Sequence, residues 1–177
     1  MIRTLVFTAL LVPGLAFAAG GGGSSAPKTT NTTKSCSGGK VWDNASKSCK
    51  TPSYSGFSED TLYQAARELA YDGQYRNAQT VLAAMTDQND DRVLTYWGFT
   101  HRKMGDVDKG MAYYNKALAR NPSNILARSY MGQALVLEGD VDAARAQLLA
   151  IRDHGGAGTW AETALLTAIE SGKTYDY

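Results

Sequence analysis

The chain has 177 residues, of which 44% are hydrophobic and 20% are charged, and its formal net charge at pH 7 is +1. This length suits one domain of ordinary size, and the near-neutral charge gives no indication of a nucleic-acid partner. The charge is unevenly distributed: residues 19–56 contain five lysines and one aspartate, whereas residues 57–177 contain 12 basic and 16 acidic residues. The front of the chain is therefore basic and poor in apolar residues, and the remainder is mildly acidic and rich in them.

Residues 1–18 have the pattern of a secretory signal peptide. A short basic start is followed by the apolar run TLVFTALLV, then by Pro13 and Gly14, and finally by Ala16 and Ala18 as the small residues that a signal peptidase accepts. A membrane anchor would need about 20 apolar residues, and fewer precede Pro13. We therefore expect cleavage after Ala18 and export, with the periplasm of a Gram-negative bacterium or secretion as the destination, and no transmembrane segment after cleavage.

Residues 19–57 are predicted to form a flexible basic linker, because Gly, Ser, Thr, Pro and Lys dominate and little apolar surface can be buried. The chain has two cysteines, Cys36 and Cys49, and an oxidising compartment favours their pairing. Within that loop KVW can pair with KSC across a turn at residues 43–46, with Trp42 as the only large apolar side chain. We expect this hairpin either to dock on the helices that follow or to sit as a knot in the linker.

Helical periodicity begins near Ser58, which suits a helix N-cap, and Gly73 suits the end of the first helix. The sequence GDVD occurs at Gly105 and again 34 residues later at Gly139, and each copy follows another glycine by seven residues. A fixed period with glycines at fixed offsets indicates a repeat architecture.

This pattern resembles tetratricopeptide repeats. The residues of the second repeat that fit the family are Leu94, Trp97, Gly98, Gly105, Tyr114, Ala117 and Pro122. The departures are His101, where the family prefers an aromatic residue, and Gly110, where it prefers alanine. The resemblance implies an all-α, right-handed solenoid over residues 58–172. Its parts would be repeats at about 59–90, 91–124 and 125–158, a closing helix at 159–171, and a short tail at 173–177.

The repeated GDVD is interpreted as a structural turn and not as a catalytic pair of carboxylates. The glycine tolerates the left-handed conformation that ends one helix, and Asp106 or Asp140 caps the next. Gly98 and Gly110 stand where the two helices of a repeat are expected to cross most closely. His101 lies on a core-facing stripe, which favours a packed histidine over a catalytic base.

The resemblance also implies a concave groove lined by the first helix of each repeat. The predicted groove residues are Tyr63, Arg67, Tyr71, Arg92, Phe99, Arg102, Lys103 and Gln133. Aromatic rings beside cations favour a partner peptide that is partly acidic and partly apolar. The alternative is an ordinary solvated helix face. The side chains with which some co-chaperone repeats clamp a terminal carboxylate are absent.

The sequence gives no reason to expect an enzyme, a cofactor or a metal site, because it lacks HExxH, a Gly-rich phosphate loop, and a Ser or Cys nucleophile beside a histidine. The predicted function is a non-catalytic adaptor in the cell envelope that binds a protein or peptide in the groove. The alternative is an envelope-polymer or membrane-surface protein that acts through the basic loop containing Trp42, with the repeats as support or as an oligomerisation unit.

Overall fold

The computed structural model describes residues 28–174, so the predicted signal peptide, the first part of the linker and residues 175–177 lie outside the described residues. A short helix and a hairpin come first: α1 (Asn31–Ser35), β1 (Val41–Asp43) and β2 (Ser48–Lys50). Seven longer helices follow: α2 (Glu59–Tyr71), α3 (Tyr75–Ala83), α4 (Asp91–Lys103), α5 (Val107–Arg120), α6 (Ile125–Leu137), α7 (Val141–Asp153) and α8 (Trp160–Ser171).

The longer helices form three consecutive pairs, α2–α3, α4–α5 and α6–α7, and α8 packs against the third pair. Each helix contacts the next one along the chain, and α2, α4, α6 and α8 also contact one another in sequence. This arrangement confirms the predicted helical repeat solenoid with a closing helix. Among the described residues, no helix is both long enough and apolar enough to cross a membrane.

The two GDVD segments are the turns that the sequence predicted. Gly105 and Gly139 have φ angles of +91° and +84°, a left-handed conformation that residues with a Cβ rarely adopt. The Asp106 side chain then accepts a hydrogen bond from the backbone N–H of Lys109 at the start of α5, and Asp140 caps α7 in the same way. Each carboxylate also lies at the positive end of a helix dipole.

The two helices of the second pair cross where both have a glycine. A Cβ on Gly98 of α4 would lie 2.6 Å from ring atoms of Tyr114 and 3.0 Å from the carbonyl oxygen of Gly110. A Cβ on Gly110 would lie 3.0 Å from the Arg102 Cβ. A methyl group at Gly98 would clash with the Tyr114 ring, and one at Gly110 would require its neighbours to shift slightly, so both glycines favour the close crossing.

The Cys loop docks on the first helix pair, which is one of the two arrangements expected for it. Cys36 and Cys49 form a disulfide, and Val41 pairs with Lys50 at the open end of the hairpin. Val41 is 1% exposed and belongs to the main apolar core, so it is the side chain that anchors the hairpin. Trp42 is only half-buried, and its indole N–H donates to the Asn44 side chain.

A single carboxylate ties α1 to α2. Glu68 is 6% exposed, and it accepts hydrogen bonds from the backbone and hydroxyl of Thr30 and from the hydroxyl of Thr33. These donors satisfy the oxygen atoms of a buried carboxyl group, which would destabilise the fold if they had no partners. The segment from Thr30 to Lys50 is therefore a folded unit, which we call the N-terminal cap, attached to α2 by Val41 and Glu68.

Candidate functional site

The predicted groove residues all lie on the first helix of a pair. Tyr63, Arg67 and Tyr71 belong to α2, and Gln133 belongs to α6. The remaining four, on α4, are Arg92, Phe99, Arg102 and Lys103. The helices α2, α4 and α6 pack side by side, and we call the face that was predicted to form the groove the concave face.

A cluster of aromatic rings forms the base of the concave face. The Tyr71 and Phe99 ring centroids are 5.7 Å apart, and those of Phe99 and Tyr130 are 4.7 Å apart. The Tyr71 and Tyr130 hydroxyls are hydrogen-bonded to each other. Tyr96 lies between them, 6.3 Å from Tyr71 and 6.2 Å from Tyr130. The ring cluster therefore joins all three helix pairs.

The closing helix also contributes to this cluster. The Trp160 ring lies 5.8 Å from Tyr71 and 6.3 Å from Tyr130, measured between centroids. Tyr71 is the last residue of α2 and Trp160 is the first residue of α8. The two outermost helices of the stack therefore meet through these rings.

Burial separates the predicted groove residues into two groups. Phe99 and Gln133 are fully buried, and Tyr63, Tyr71 and Arg102 are 4%, 7% and 6% exposed. The other three, all cationic, are half-buried and reach solvent: Arg67, Arg92 and Lys103. On this face a partner would first meet guanidinium and ammonium groups, with the rings beneath them.

Arg67 is held over the ring cluster by a hydroxyl and a ring. Its Nε donates to the Tyr96 hydroxyl at 3.1 Å, and its guanidinium carbon lies 5.7 Å from the Tyr71 ring centroid. Burial alone would lower the pKa of Arg67, but its interactions with Tyr96 and Tyr71 outweigh burial and raise the pKa. Arg67 therefore keeps its charge and a fixed orientation.

Arg92 lies over the Tyr63 ring, 4.9 Å from its centroid, and is paired with two carboxylates. Its guanidinium is 2.9 Å from Asp90 and 3.3 Å from Asp60. The hydrogen bond that Arg92 donates to Asp90 raises the pKa of Arg92, against a smaller opposing effect of burial. Much of the Arg92 charge is thus compensated within the protein.

Arg102 and Gln133 are structural residues in this arrangement. The Arg102 Nε donates to the Tyr114 hydroxyl at 3.3 Å, and its guanidinium lies 5.7 Å from the Phe99 centroid. The Gln133 amide donates to Ser129 Oγ at 3.3 Å, and Ser129 in turn donates to the Ala161 carbonyl of α8 at 2.7 Å. Arg102 thus connects α4 to α5. Gln133 is fully buried and bonds within α6, and it is Ser129 that connects α6 to α8.

Three rings of the cluster were not among the predicted groove residues: Tyr96, Tyr130 and Trp160. Tyr96 and Tyr130 are one 34-residue period apart, so the repeat frame itself was a signal that they share a place in the fold. Trp160 had no such signal, because it begins the closing helix, outside the three repeats, and its contact with Tyr71 of α2 depends on how distant helices pack.

The side chains that could suggest catalysis have structural partners. His101 is 9% exposed, and its ring is stacked 5.9 Å from Trp97 and 5.6 Å from Tyr113. Burial lowers its pKa, as does Lys109, whereas Asp106 acts in the opposite direction. Within residues 28–174 no group of three or more His, Cys, Asp or Glu side chains could hold a metal ion.

Comparison with known proteins agrees with the architecture. The model of the tetratricopeptide repeat family matches residues 101–159, from the last turn of α4 to the Thr159 that caps α8. The comparison with curated proteins gave no match, and neither did the comparison with solved structures.

The fold is that of an α-helical repeat protein, built from helix pairs around a ring-filled concave face. The family match covers less than half of the chain, and within it residues 101–159 are similar to tetratricopeptide repeats. Members of this family are typically non-catalytic scaffolds for protein–protein interaction.

Proposed function

We propose that the protein is an exported adaptor whose concave face binds a segment of a partner protein. The observation that carries this proposal is the arrangement of Arg67, whose guanidinium is fixed over buried rings and still reaches solvent. A cation held in one orientation loses little side-chain entropy on binding, and this favours recognition of a carboxylate.

The charge and shape of the face favour a partner segment that is acidic and carries an apolar or aromatic side chain. Lys103 ends α4 and Arg67 lies on α2, so the two cations come from neighbouring helices. Phe99 is fully buried and supports the face from beneath, whereas Tyr71 is 7% exposed, so an apolar side chain of the partner would contact the exposed part of Tyr71. We expect the partner segment to lie across the helices and not deep between them. The contact between Trp160 of α8 and Tyr71 of α2 leaves little space beneath the surface of this face.

Charge reversal at the half-buried cations tests the proposal. The double variant Arg67→Glu/Lys103→Glu should lose partners that the wild-type protein captures from an envelope extract. The matched control is Arg76→Glu/Lys40→Glu, which makes the same charge change at exposed positions outside the ring cluster. Arg102 is unsuitable for this test, because a buried glutamate there would unfold the protein.

The expected outcome is one or more proteins recovered with the wild type and the control and lost with the concave-face variant. Recovery of the same proteins by all three chains, with circular dichroism showing each one folded, would contradict binding at this face.

Export rests on the signal-peptide pattern, and the Cys36–Cys49 disulfide is compatible with it. Under this proposal the protein purified from its native cell begins at Ala19. N-terminal sequencing checks this directly, and an intact Met1 would contradict export by this route.

A cleft beside the N-terminal cap favours a second candidate function, the binding of an envelope polymer. The cleft has a volume of about 410 Å³ and lies between Trp42 and α2. Its lining includes Asp60 and Glu68 and no lysine or arginine, so it suits a neutral, hydroxyl-rich chain better than an anionic one. A Trp42→Ala variant should then lose envelope association without losing its fold, and unchanged association would exclude this candidate.

A further inference from the structure

A second cleft lies between α4 and α5 and shares no residue with the concave face. Its volume is about 440 Å³, within the range of small-ligand sites. It is lined by Gln88, Asn89, Leu94, Trp97, Tyr113, Lys116, Ala119 and Arg120. Neither the groove proposal nor the Cys loop makes use of these side chains.

Parallel aromatic rings form the base of this cleft. Trp97 and Tyr113 have centroids 5.9 Å apart and planes 19° apart, and His101 stacks beside both at 23° and 8°. Trp97 and Tyr113 are half-buried, so part of each ring is open to the cleft. The rings of this cleft are nearly parallel and offset from one another. Most ring pairs of the concave face are instead tilted or edge-to-face.

The rim of the cleft is cationic. Lys116 and Arg120 lie one turn apart on α5, and both are exposed. The Lys116 ammonium lies 5.2 Å from the Tyr113 centroid. The lining has no carboxylate, and within the described part of the chain no ion pair involves Lys116 or Arg120. The packing of the helix pair explains why aromatic rings lie here. It does not require Lys116 and Arg120, two cations without an ion pair among the described residues, to lie above them.

Side-chain amides complete the rim. The Trp97 indole donates to Gln88 Oε1 at 3.3 Å, and the Gln88 amide nitrogen donates to the carbonyls of Leu82 and Met85 at 2.9 and 2.7 Å. Gln88 is thereby fixed against the ring, and the exposed Asn89 follows it. Both N–H groups of Gln88 are used in this way, so the side-chain amide that can donate to and accept from a hydroxyl group is that of Asn89.

We propose that this cleft binds a carboxylated sugar unit of a glycan. The apolar face of the sugar ring would lie on Trp97 and Tyr113, its carboxylate would bind Lys116 and Arg120, and a hydroxyl would contact Asn89. A peptide fits less well, because it brings backbone groups that need partners, whereas the backbone of α4 and α5 is already bonded within the helices.

The test titrates the purified protein with a short oligogalacturonate and follows tryptophan fluorescence and heat. We expect binding, and at least about tenfold weaker binding of a neutral galacto-oligosaccharide of the same length, because the charge-assisted contacts are lost. The variant Lys116→Ala/Arg120→Ala should bind the oligogalacturonate at least about tenfold more weakly than the wild type does. Alanine at these exposed helical positions leaves the fold intact.

The matched control is Lys34→Ala/Lys40→Ala, which removes two exposed cations from the N-terminal cap. It should bind the oligogalacturonate as the wild type does. Equal losses in both double variants would overturn the proposal, because they would show attraction by net charge alone. The absence of binding, or tighter binding of an acidic peptide of the same charge to the same residues, would also overturn it.

Discussion

Two buried tyrosine hydroxyls position two of the arginines predicted for the groove. Tyr96 accepts from Arg67 and Tyr114 accepts from Arg102, so each ring that fills the core also positions a guanidinium. Burial raises the pKa of both tyrosines, and the hydroxyls therefore remain neutral across the physiological range. A buried hydroxyl without a partner is costly, so these pairs stabilise the rings and the cations together.

A buried histidine, His101, makes the stability of the folded protein depend on pH. Its pKa in the folded protein is lowered by burial, so as the pH falls the unfolded chain binds the proton first. The stability that depends on neutral His101 is complete above about pH 6.5, the ordinary value, and decreases as the pH falls toward the folded-state pKa.

We predict that His101→Phe removes this contribution and keeps the ring stack. Between about pH 7.5 and 5.5 the melting temperature of the wild type should fall more than that of the variant. Thermal melts over this range measure the difference, and His154→Gln, at an exposed histidine, serves as the control. Parallel pH profiles for the wild type and His101→Phe would exclude His101 as the source.

At the scale of elements, the N-terminal cap depends on its disulfide. The two cysteines are separated by 13 residues, and closing a loop of this size contributes about 3 kcal/mol in the chain-entropy model. The cap buries few side chains, among them Thr32, Cys36 and Val41, so we expect its docking on α2 to lose most of its stability without the disulfide.

We therefore expect Cys36→Ser/Cys49→Ser to free the cap while α2 to α8 remain folded. Limited proteolysis should then cut between residues 30 and 57, and the helical circular dichroism signal should stay close to that of the wild type. The wild-type protein with a reductant added should behave like the variant. Loss of the whole helical signal would instead mean that the repeats need the cap in order to fold.

The sequence predicted those elements whose signals are local. Helix ends at Gly105 and Gly139, and caps such as Ser58 and Asp106, follow from neighbouring residues and agree with the structure. The attachment of the cap does not follow from the sequence, because Glu68 lies 38 residues beyond the Thr30 that it binds, and nothing near either residue indicates the partner. The burial of groove residues such as Phe99 depends in the same way on distant helices.

At the scale of the whole molecule, the contact between Trp160 and Tyr71 changes how the stack should unfold. In an ordinary repeat array each repeat contacts only its neighbours, so the two ends can unfold separately. Here the first and last helices share one ring cluster that also contains Tyr130. We expect α2 to α8 to unfold in a single transition.

The variant Trp160→Ala should weaken this coupling and lower the free energy of unfolding by about 2–4 kcal/mol, because a large, partly buried ring is lost. Urea denaturation followed by circular dichroism measures the change. Thr163→Ala, on the exposed side of α8, should be nearly neutral. If both variants unfold like the wild type, the ring contact contributes no measurable coupling.

The exposed face of α8, which points away from the other helices, limits where further helix pairs could be added to the array. Ala164, Leu165 and Ala168 are buried against the third pair, whereas Thr163, Thr167 and Glu170 are exposed and polar. A further helix pair added after α8 would have to cover hydroxyls and a carboxylate and leave them without partners. We therefore expect tandem duplication of one repeat to extend the array more readily upstream of α8 than after it.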